Sequence, residues 1–182
     1  MIKQRGFLVN LERCVGCKAC ELACRNEHWR DRSYYRQVID IAGDKLFSGF
    51  LSLGCNHCQN PECLRVCKQK CFYKRRDGIV LHNPQNCDGC RSCAGACPFK
   101  APKFNPRTKK ISKCNFCLDY LEQGKQPACV SACVVGALQM VDIFQSPPGA
   151  SKTITHYSLA QFTQPSIRFI LPTAPRCSWR IS

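Results

Sequence analysis

The sequence predicts an α+β protein built from two small and similar units, and three observations support this fold class. Its 182 residues include 18 cysteines, most of which recur in spaced groups along the chain. Short apolar stretches, residues 6–10 and 78–82, lead into two of these groups as strands that enter a loop. Short helical segments follow the loops, so each unit combines strands with helices.

The other segments of the sequence are consistent with this fold class. In sequence order we expect strands at 6–10, 34–41, 50–53, 78–82 and 136–143, and helices at 20–29 and 118–122. Residues 31–54 form an insert between the first two cysteine groups. From residue 146 onward the groups stop and prolines recur, which predicts an extended tail that wraps a partner or the body of the protein.

Sixteen of the cysteines form four groups, each of which opens C-x2-C and closes C-x3-C. The groups are Cys14, Cys17, Cys20 and Cys24; Cys55, Cys58, Cys63 and Cys67; Cys87, Cys90, Cys93 and Cys97; and Cys114, Cys117, Cys129 and Cys133. The first and third have the spacing C-x2-C-x2-C-x3-C, which binds [4Fe-4S] clusters in bacterial ferredoxins. Three thiolates of such a loop reach one cluster and the fourth ligates its neighbour. The pattern therefore predicts ferredoxin-like units that each hold two clusters.

Two other chemistries use many cysteines, and the pattern argues against both. Four ligands suffice for zinc, and the C-x2-C-x2-C-x3-C spacing crowds them. A disulfide scaffold requires an oxidising compartment, and residues 1–10 lack the apolar stretch of a secretory signal.

The net charge of the protein depends on the predicted clusters, because they are negatively charged. The formal net charge is +15, from 27 Lys and Arg against 12 Asp and Glu. Four oxidised clusters with their thiolates contribute about -8, so about +7 remains and part of the basic surplus is counter-charge. Prolines interrupt the basic stretch that ends at Lys113, which predicts a solvated loop or subunit contact, and no nucleic-acid partner is expected. The mean hydropathy is -0.26, and we expect no membrane span of its own.

Several motifs are shared with a known protein family. They are RCVGCKACELAC at 13–24, CNHC at 55–58 followed by Asn60-Pro61, RRDG at 75–78, GACPF at 95–99, KCNFC at 113–117, QPAC at 126–129, GAL at 136–138 and FTQP at 162–165. With these motifs the sequence resembles the four-cluster iron–sulfur subunit of the dimethyl sulfoxide reductase family of complex molybdopterin oxidoreductases.

The resemblance implies how the groups pair, which the spacing alone leaves open between adjacent and nested arrangements. In the family the first group pairs with the fourth and the second with the third. The implied ligand sets are Cys14, Cys17, Cys20 and Cys133; Cys24, Cys114, Cys117 and Cys129; Cys55, Cys58, Cys63 and Cys97; and Cys67, Cys87, Cys90 and Cys93. The units would then be 1–30 with 106–145 and 55–105, besides the insert 31–54 and the tail 146–182.

We expect electron transfer without catalysis, because no residues offer a nucleophile, an acid–base pair or an open metal site. The resemblance implies a relay in anaerobic respiration, between a membrane subunit that oxidises quinol and a large molybdopterin (Mo/W) catalytic subunit. Iron–sulfur subunits of formate dehydrogenase or hydrogenase, and a free polyferredoxin, are the alternatives. The partners would attach the protein to the membrane, at the extracytoplasmic rather than the cytoplasmic face, through co-export with a twin-arginine partner.

Individual residues near the groups carry further expectations. Positive charge at Lys68 and its neighbours predicts a raised reduction potential for the cluster that Cys67 ligates. His57 is interpreted as a packed loop histidine, with hydrogen bonding to a cluster sulfur as the alternative. Cys71 and Cys177 lie outside the groups and are interpreted as ordinary buried or tail residues.

Overall fold

The computed structural model describes residues 3–29, 34–41, 49–154 and 158–173. Its strands are β1 (Arg5–Asn10), β2 (Arg36–Asp40), β3 (Phe50–Gly54), β4 (Phe72–Lys74), β5 (Val80–His82), β6 (Lys103–Asn105), β7 (Lys110–Ser112), β8 (Leu138–Asp142) and β9 (Ile167–Ile170). Its α-helices are α1 (Ala19–Glu27), α2 (Glu62–Arg65), α3 (Ser92–Ala96), α4 (Leu118–Glu122) and α5 (Ala128–Ser131). Short 3-10 segments lie at Pro84–Asn86, Ile143–Gln145 and Ser158–Thr163. The α+β prediction is confirmed.

The largest sheet in the described part of the protein has the strand order β8–β1–β9. Strand β1 pairs antiparallel with β8, where Phe7 lies opposite Met140, and parallel with β9, where Val9 lies opposite Phe169. Residues 6–10 are all buried, as expected of a central strand that is covered on both faces. Strand β9 belongs to the segment that the sequence predicts as an extended tail, so four residues of that segment form part of this sheet.

The insert forms an antiparallel hairpin of β2 and β3, in which Arg36 lies opposite Gly54. These strands agree with the pieces predicted at 34–41 and 50–53. Helix α1 contacts both β2 and α5, so the insert packs against the first cysteine group. Residues 30–33 and 42–48 lie outside the described part of the protein.

Two cysteine loops repeat the same backbone conformation. Gly16 and Gly89, which each lie within a C-x2-C pair, have φ angles of 73° and 75°. Lys18 and Arg91 follow two residues later with φ angles of 59° and 63°, and they precede α1 and α3. A Cβ at Gly89 would clash with the carbonyl oxygen of Lys109, so this close approach requires glycine. The predicted repeat of the first and third groups is therefore visible in the backbone.

Two further hairpins, β4–β5 and β6–β7, surround a second apolar cluster. This cluster contains Phe72, Val80 and Ile111 together with the buried cysteines Cys71 and Cys93. The larger apolar cluster likewise includes cysteines of the first and fourth groups. Cysteine side chains are therefore part of both apolar cores.

Candidate iron–sulfur sites

The first site is a cavity that cysteines of the first and fourth groups line together. Its cysteines are Cys14, Cys17, Cys20 and Cys133. The hydroxyl oxygen of Ser52, in β3, lies 3.3 Å from Cys20 Sγ. The backbone N–H of Leu138 donates to Cys133 Sγ over 3.3 Å. Strands from the insert and from the central sheet therefore both support this site.

The second site lies beside the first, in the larger apolar core. Its cavity is lined by Cys24, Cys114, Cys117 and Cys129. The backbone N–H of Phe116 donates to Cys114 Sγ over 3.3 Å, and the backbone N–H groups of Tyr35 and Arg36 interact with Cys24. Burial raises the pKa of the Cys117 thiol to about 12, since the apolar surroundings disfavour a bare thiolate.

The third site combines cysteines of the second and third groups. Its cavity is lined by Cys55, Cys58, Cys63 and Cys97. The backbone N–H of Ala101 donates to Cys97 Sγ over 3.5 Å. Burial raises the pKa of the Cys58 and Cys63 thiols to about 12, with the neighbouring cysteines adding to the effect. A metal that binds here has to displace these protons.

The fourth site is formed by the remaining cysteines of the second and third groups. Cys93 interacts electrostatically with Cys67, Cys87 and Cys90. The backbone N–H of Ile111 donates to Cys87 Sγ over 3.5 Å. The structure therefore brings together each of the four cysteine sets that the resemblance implies, although the assignment of each set to one cluster stays a prediction.

Cys71 is more closely involved with the fourth site than its sequence position suggests. It is 2% exposed, its thiol interacts with those of Cys67 and Cys87, and its backbone N–H donates to Cys67 Sγ over 3.3 Å. Cys71 Sγ, Cys87 Sγ and a ring nitrogen of His82 all lie within 4.8 Å of one another. Cys71 is buried as expected, and its contact with two candidate ligands is a finding of the structure. Cys177 lies outside the described residues.

Comparison with known proteins identifies the family. Residues 46–143 match the 4Fe-4S dicluster domain model and residues 7–27 match a 4Fe-4S binding domain model. The sequence is 35% identical over 183 residues to the B subunit of anaerobic dimethyl sulfoxide reductase from Escherichia coli, covering 92% of this protein and 88% of that one. It belongs to the family of dimethyl sulfoxide reductase B subunits.

Other members of the B-subunit family show the same relationship. The B subunit of polysulfide reductase from Wolinella succinogenes is 41% identical over 150 residues, which cover 79% of this protein and 78% of that one. The thiosulfate reductase electron transfer subunit of Salmonella typhi is 37% identical over 146 residues, covering 76% of each. The predicted [4Fe-4S] cofactor and the role as a non-catalytic electron-transfer subunit of a reductase complex are confirmed. No helix in the described ranges has the length and apolar character needed to cross a membrane.

The third site of this B-subunit family member also fits a cluster through two buried polar side chains. Asn56 and His57 line its cavity and are 2% and 1% exposed. Nδ1 of His57 accepts a hydrogen bond from the backbone N–H of Val80 over 3.1 Å. Within the described residues, Nε2 of His57 and both polar side-chain atoms of Asn56 have no hydrogen-bond partner. Buried donors rarely lack a partner, so the His57 Nε2–H and the Asn56 amide N–H suit a group that carries sulfur acceptors.

Sequence reasoning misses or misplaces two cations near the sites. Arg36, in the predicted insert strand 34–41, lines the second site and is 3% exposed. The prediction of a solvated loop or subunit contact is wrong for Lys113, because this residue is 7% exposed. Its position directly before Cys114 is the one sequence signal that sets it apart from the other lysines of the basic stretch. For Arg36 no comparable signal exists, since burial of the insert depends on packing against α1.

Proposed function

We propose that this protein relays electrons through four [4Fe-4S] clusters, from a membrane subunit that oxidises quinol to a large molybdopterin catalytic subunit in anaerobic respiration. The observation that carries this proposal is the set of four adjoining cysteine sites within a member of a family of reductase subunits. Each bound cluster would accept and donate one electron at a time.

We assign the ligands by site. They are Cys14, Cys17, Cys20 and Cys133 at the first; Cys24, Cys114, Cys117 and Cys129 at the second; Cys55, Cys58, Cys63 and Cys97 at the third; and Cys67, Cys87, Cys90 and Cys93 at the fourth. The nested pairing gives the two units of residues 1–30 with 106–145 and residues 55–105. Electrostatic contact between Cys114 of the second site and Cys55 of the third supports a continuous relay.

The arrangement of the sites makes a relay the natural role. Backbone N–H groups donate to the sulfurs of Cys97, Cys87, Cys114 and Cys133 and would stabilise negative charge on them. Cys17 and Cys90 are exposed, so the first and fourth sites reach the surface of the protein. Electrons therefore have a place to enter and a place to leave at partner interfaces.

The partners would hold the complex at the membrane, at its extracytoplasmic face. Among the relatives named above, the reduced compounds are dimethyl sulfoxide, polysulfide and thiosulfate. We infer that the catalytic partner of this protein reduces an S-oxide, an N-oxide or an oxyanion, a range that includes dimethyl sulfoxide and thiosulfate but not polysulfide. The names of these relatives favour a reductase over a formate dehydrogenase or a hydrogenase.

Anaerobic co-purification from native membranes, with identification of the partner chains by mass spectrometry, tests this assignment. A large pterin-binding subunit and a membrane subunit are the expected partners. Co-purification of a hydrogenase large subunit would instead identify the protein as the iron–sulfur subunit of a hydrogenase. Elution as a lone monomer would favour a free polyferredoxin.

Activity measurements on the purified complex then test the relay itself. Cys14→Ser should abolish quinol-driven reduction, because it breaks the first site. Reduction driven by a viologen dye that reacts directly with the catalytic subunit should persist. Unchanged quinol-driven reduction in a variant that has lost this cluster would contradict a relay role.

A further inference from the structure

Two buried cations lie between neighbouring cysteine sites. Arg36 is 3% exposed and Lys113 is 7% exposed. In residues 3–29, 34–41, 49–154 and 158–173, the ion pairs with carboxylates involve Arg5, Arg65 and Arg75, and neither buried cation forms one. Their positive charges therefore lack carboxylate counter-ions in this part of the protein.

Arg36 connects the first and second sites. It lines the cavity of the second site, and its guanidinium donates to the backbone carbonyl and the hydroxyl of Ser52 over 3.3 and 3.2 Å. The same hydroxyl lies 3.3 Å from Cys20 Sγ of the first site. The guanidinium carbon lies 4.3 Å from the ring centroid of Phe7, so an aromatic face covers its other side.

The cysteines that attract Arg36 come from both of these sites. They are Cys129, Cys114, Cys20 and Cys24. Arg36 is therefore held by the insert hairpin at the boundary between the first and second sites.

Lys113 occupies the corresponding place between the second and third sites. Its ammonium group donates to the backbone carbonyls of Val80 and Cys114 over 2.5 and 2.7 Å. The side chain lines the cavity of the third site and interacts electrostatically with Cys63, Cys97 and Cys114. Its hydrogen-bond partners are neutral carbonyl groups, so its net charge is not cancelled by them.

A buried charge without a counter-ion costs several kcal/mol, so a cation persists in such a place only where anions compensate it. Four thiolates around an oxidised [4Fe-4S] core carry a net charge of about -2, and reduction by one electron makes it about -3. The sites beside Arg36 and Lys113 therefore supply the missing negative charge, and they supply more of it when they are reduced.

We propose that Arg36 and Lys113 are fixed counter-charges of the relay, which raise the reduction potentials of the first, second and third sites. This inference rests on the proposed function, in that it requires clusters at these cysteines. Each cation would compensate the one negative charge that reduction adds at the neighbouring site, with the electron supplied by the next reduced site of the relay.

The test is an anaerobic redox titration of the purified complex, followed by electron paramagnetic resonance of each cluster. Arg36→Gln removes the charge but keeps a donor for Ser52, and Lys113→Gln removes the charge but keeps a donor for Val80. Arg36→Gln should lower the equilibrium constants for reduction of the first and second sites at least tenfold, which is 59 mV for one electron. Lys113→Gln should do the same at the second and third sites, while Arg36→Lys and Lys113→Arg should restore most of the wild-type potential.

Arg107→Gln is the matched control, because it removes an equal charge from an exposed position on the β6–β7 hairpin. Solvent screens such a charge, so it should change no equilibrium constant more than twofold. If the Gln variants keep their iron and also shift less than twofold, the proposal is overturned.

Loss of clusters would be informative as well. If both Gln variants lose iron while Arg36→Lys and Lys113→Arg retain it, the requirement for positive charge is upheld. If the charge-keeping variants lose iron too, shape rather than charge matters and the proposal fails. Absence of the four clusters from the wild-type complex would instead refute the proposed function, so the two failures are distinguishable.

Discussion

Replacement of His57 by phenylalanine should lower the reduction potential of the third site. Nδ1 of His57 accepts the Val80 N–H over 3.1 Å, so this nitrogen carries no proton and Nε2 carries it. Within the described residues Nε2 has no partner, and the ring lines the cavity of Cys55, Cys58 and Cys63. The Nε2–H group is therefore available to donate to sulfur of a bound cluster.

The size of the effect follows from this single hydrogen bond. A hydrogen bond to a charged acceptor contributes about 1.5–3 kcal/mol of net free energy. We take about a third of this as the additional stabilisation that the bond gains when the third site is reduced. The resulting 0.5–1 kcal/mol, roughly, corresponds to a downward shift of about 20–45 mV for a one-electron couple. Burial holds the pKa of His57 well below its usual value, so the ring stays neutral at pH 7 and above. The shift should not vary with pH in that range.

The assay is a redox titration of His57→Phe with electron paramagnetic resonance detection of each site. Phenylalanine preserves the edge contact with the Phe116 ring, whose centroid lies 5.1 Å from that of His57. The unpaired Val80 N–H should also lower the free energy of unfolding by about 1–3 kcal/mol. His57→Gln, whose amide both accepts and donates, should recover part of the potential.

His82→Phe is the matched control, because His82 packs against Phe72 and lies near Cys71 and near the fourth-site cysteine Cys87. It should leave the third site unchanged. A His57→Phe variant with full iron content and an unshifted third site would refute the assignment of Nε2 as a donor. His57 would then be a packed loop histidine only.

Three further predictions concern pairing, backbone and surface charge. Cys133→Ser should perturb the cluster at the first site and leave the fourth unchanged by electron paramagnetic resonance, whereas a pairing of adjacent groups would place the defect with the third group. Gly89→Ala should reduce iron content and lower the Tm, because the new Cβ would clash with the Lys109 carbonyl oxygen at a φ of 75°, and intact loading would contradict this close approach. Lys68→Glu should lower the potential of the site that contains Cys67 by less than Arg36→Gln lowers that of the second, since Lys68 is exposed, and an unchanged titration would defeat the idea that this lysine raises it.

The parts of the protein that the sequence predicts well are those determined by neighbouring residues. The spacing of the cysteines specifies the loops, and the apolar stretches beside them specify β1, β3 and β5, because both patterns repeat over a few residues. Helix α4 has the predicted bounds Leu118–Glu122 for the same reason. The predicted nested pairing depends on contacts between groups that are distant in sequence, such as Cys20 with Cys129, and the spacing does not contain that information.

Burial of charged residues is the feature that local sequence hides most. Lys113 ends a stretch in which prolines interrupt several lysines and an arginine, and such a stretch is usually solvated. Its ammonium group is buried because β5 supplies the carbonyl of Val80 from a point 33 residues earlier. Strand β9 is similar, since its pairing with β1 joins residues separated by most of the sequence. Both features depend on tertiary contacts that no local pattern reports.

The apolar cores and the cysteine sites share residues. Buried cysteines such as Cys20, Cys24 and Cys93 pack in the cores and are also candidate cluster ligands. In a protein of this size the apolar side chains alone form small cores, so cluster binding and folding stabilise each other. The basic composition follows from the same coupling. In our proposal, the clusters bring negative charge into the protein, and this charge compensates buried cations such as Arg36. The formal charge of +15 is therefore a property of the polypeptide without its clusters, and the folded protein carries a much smaller one.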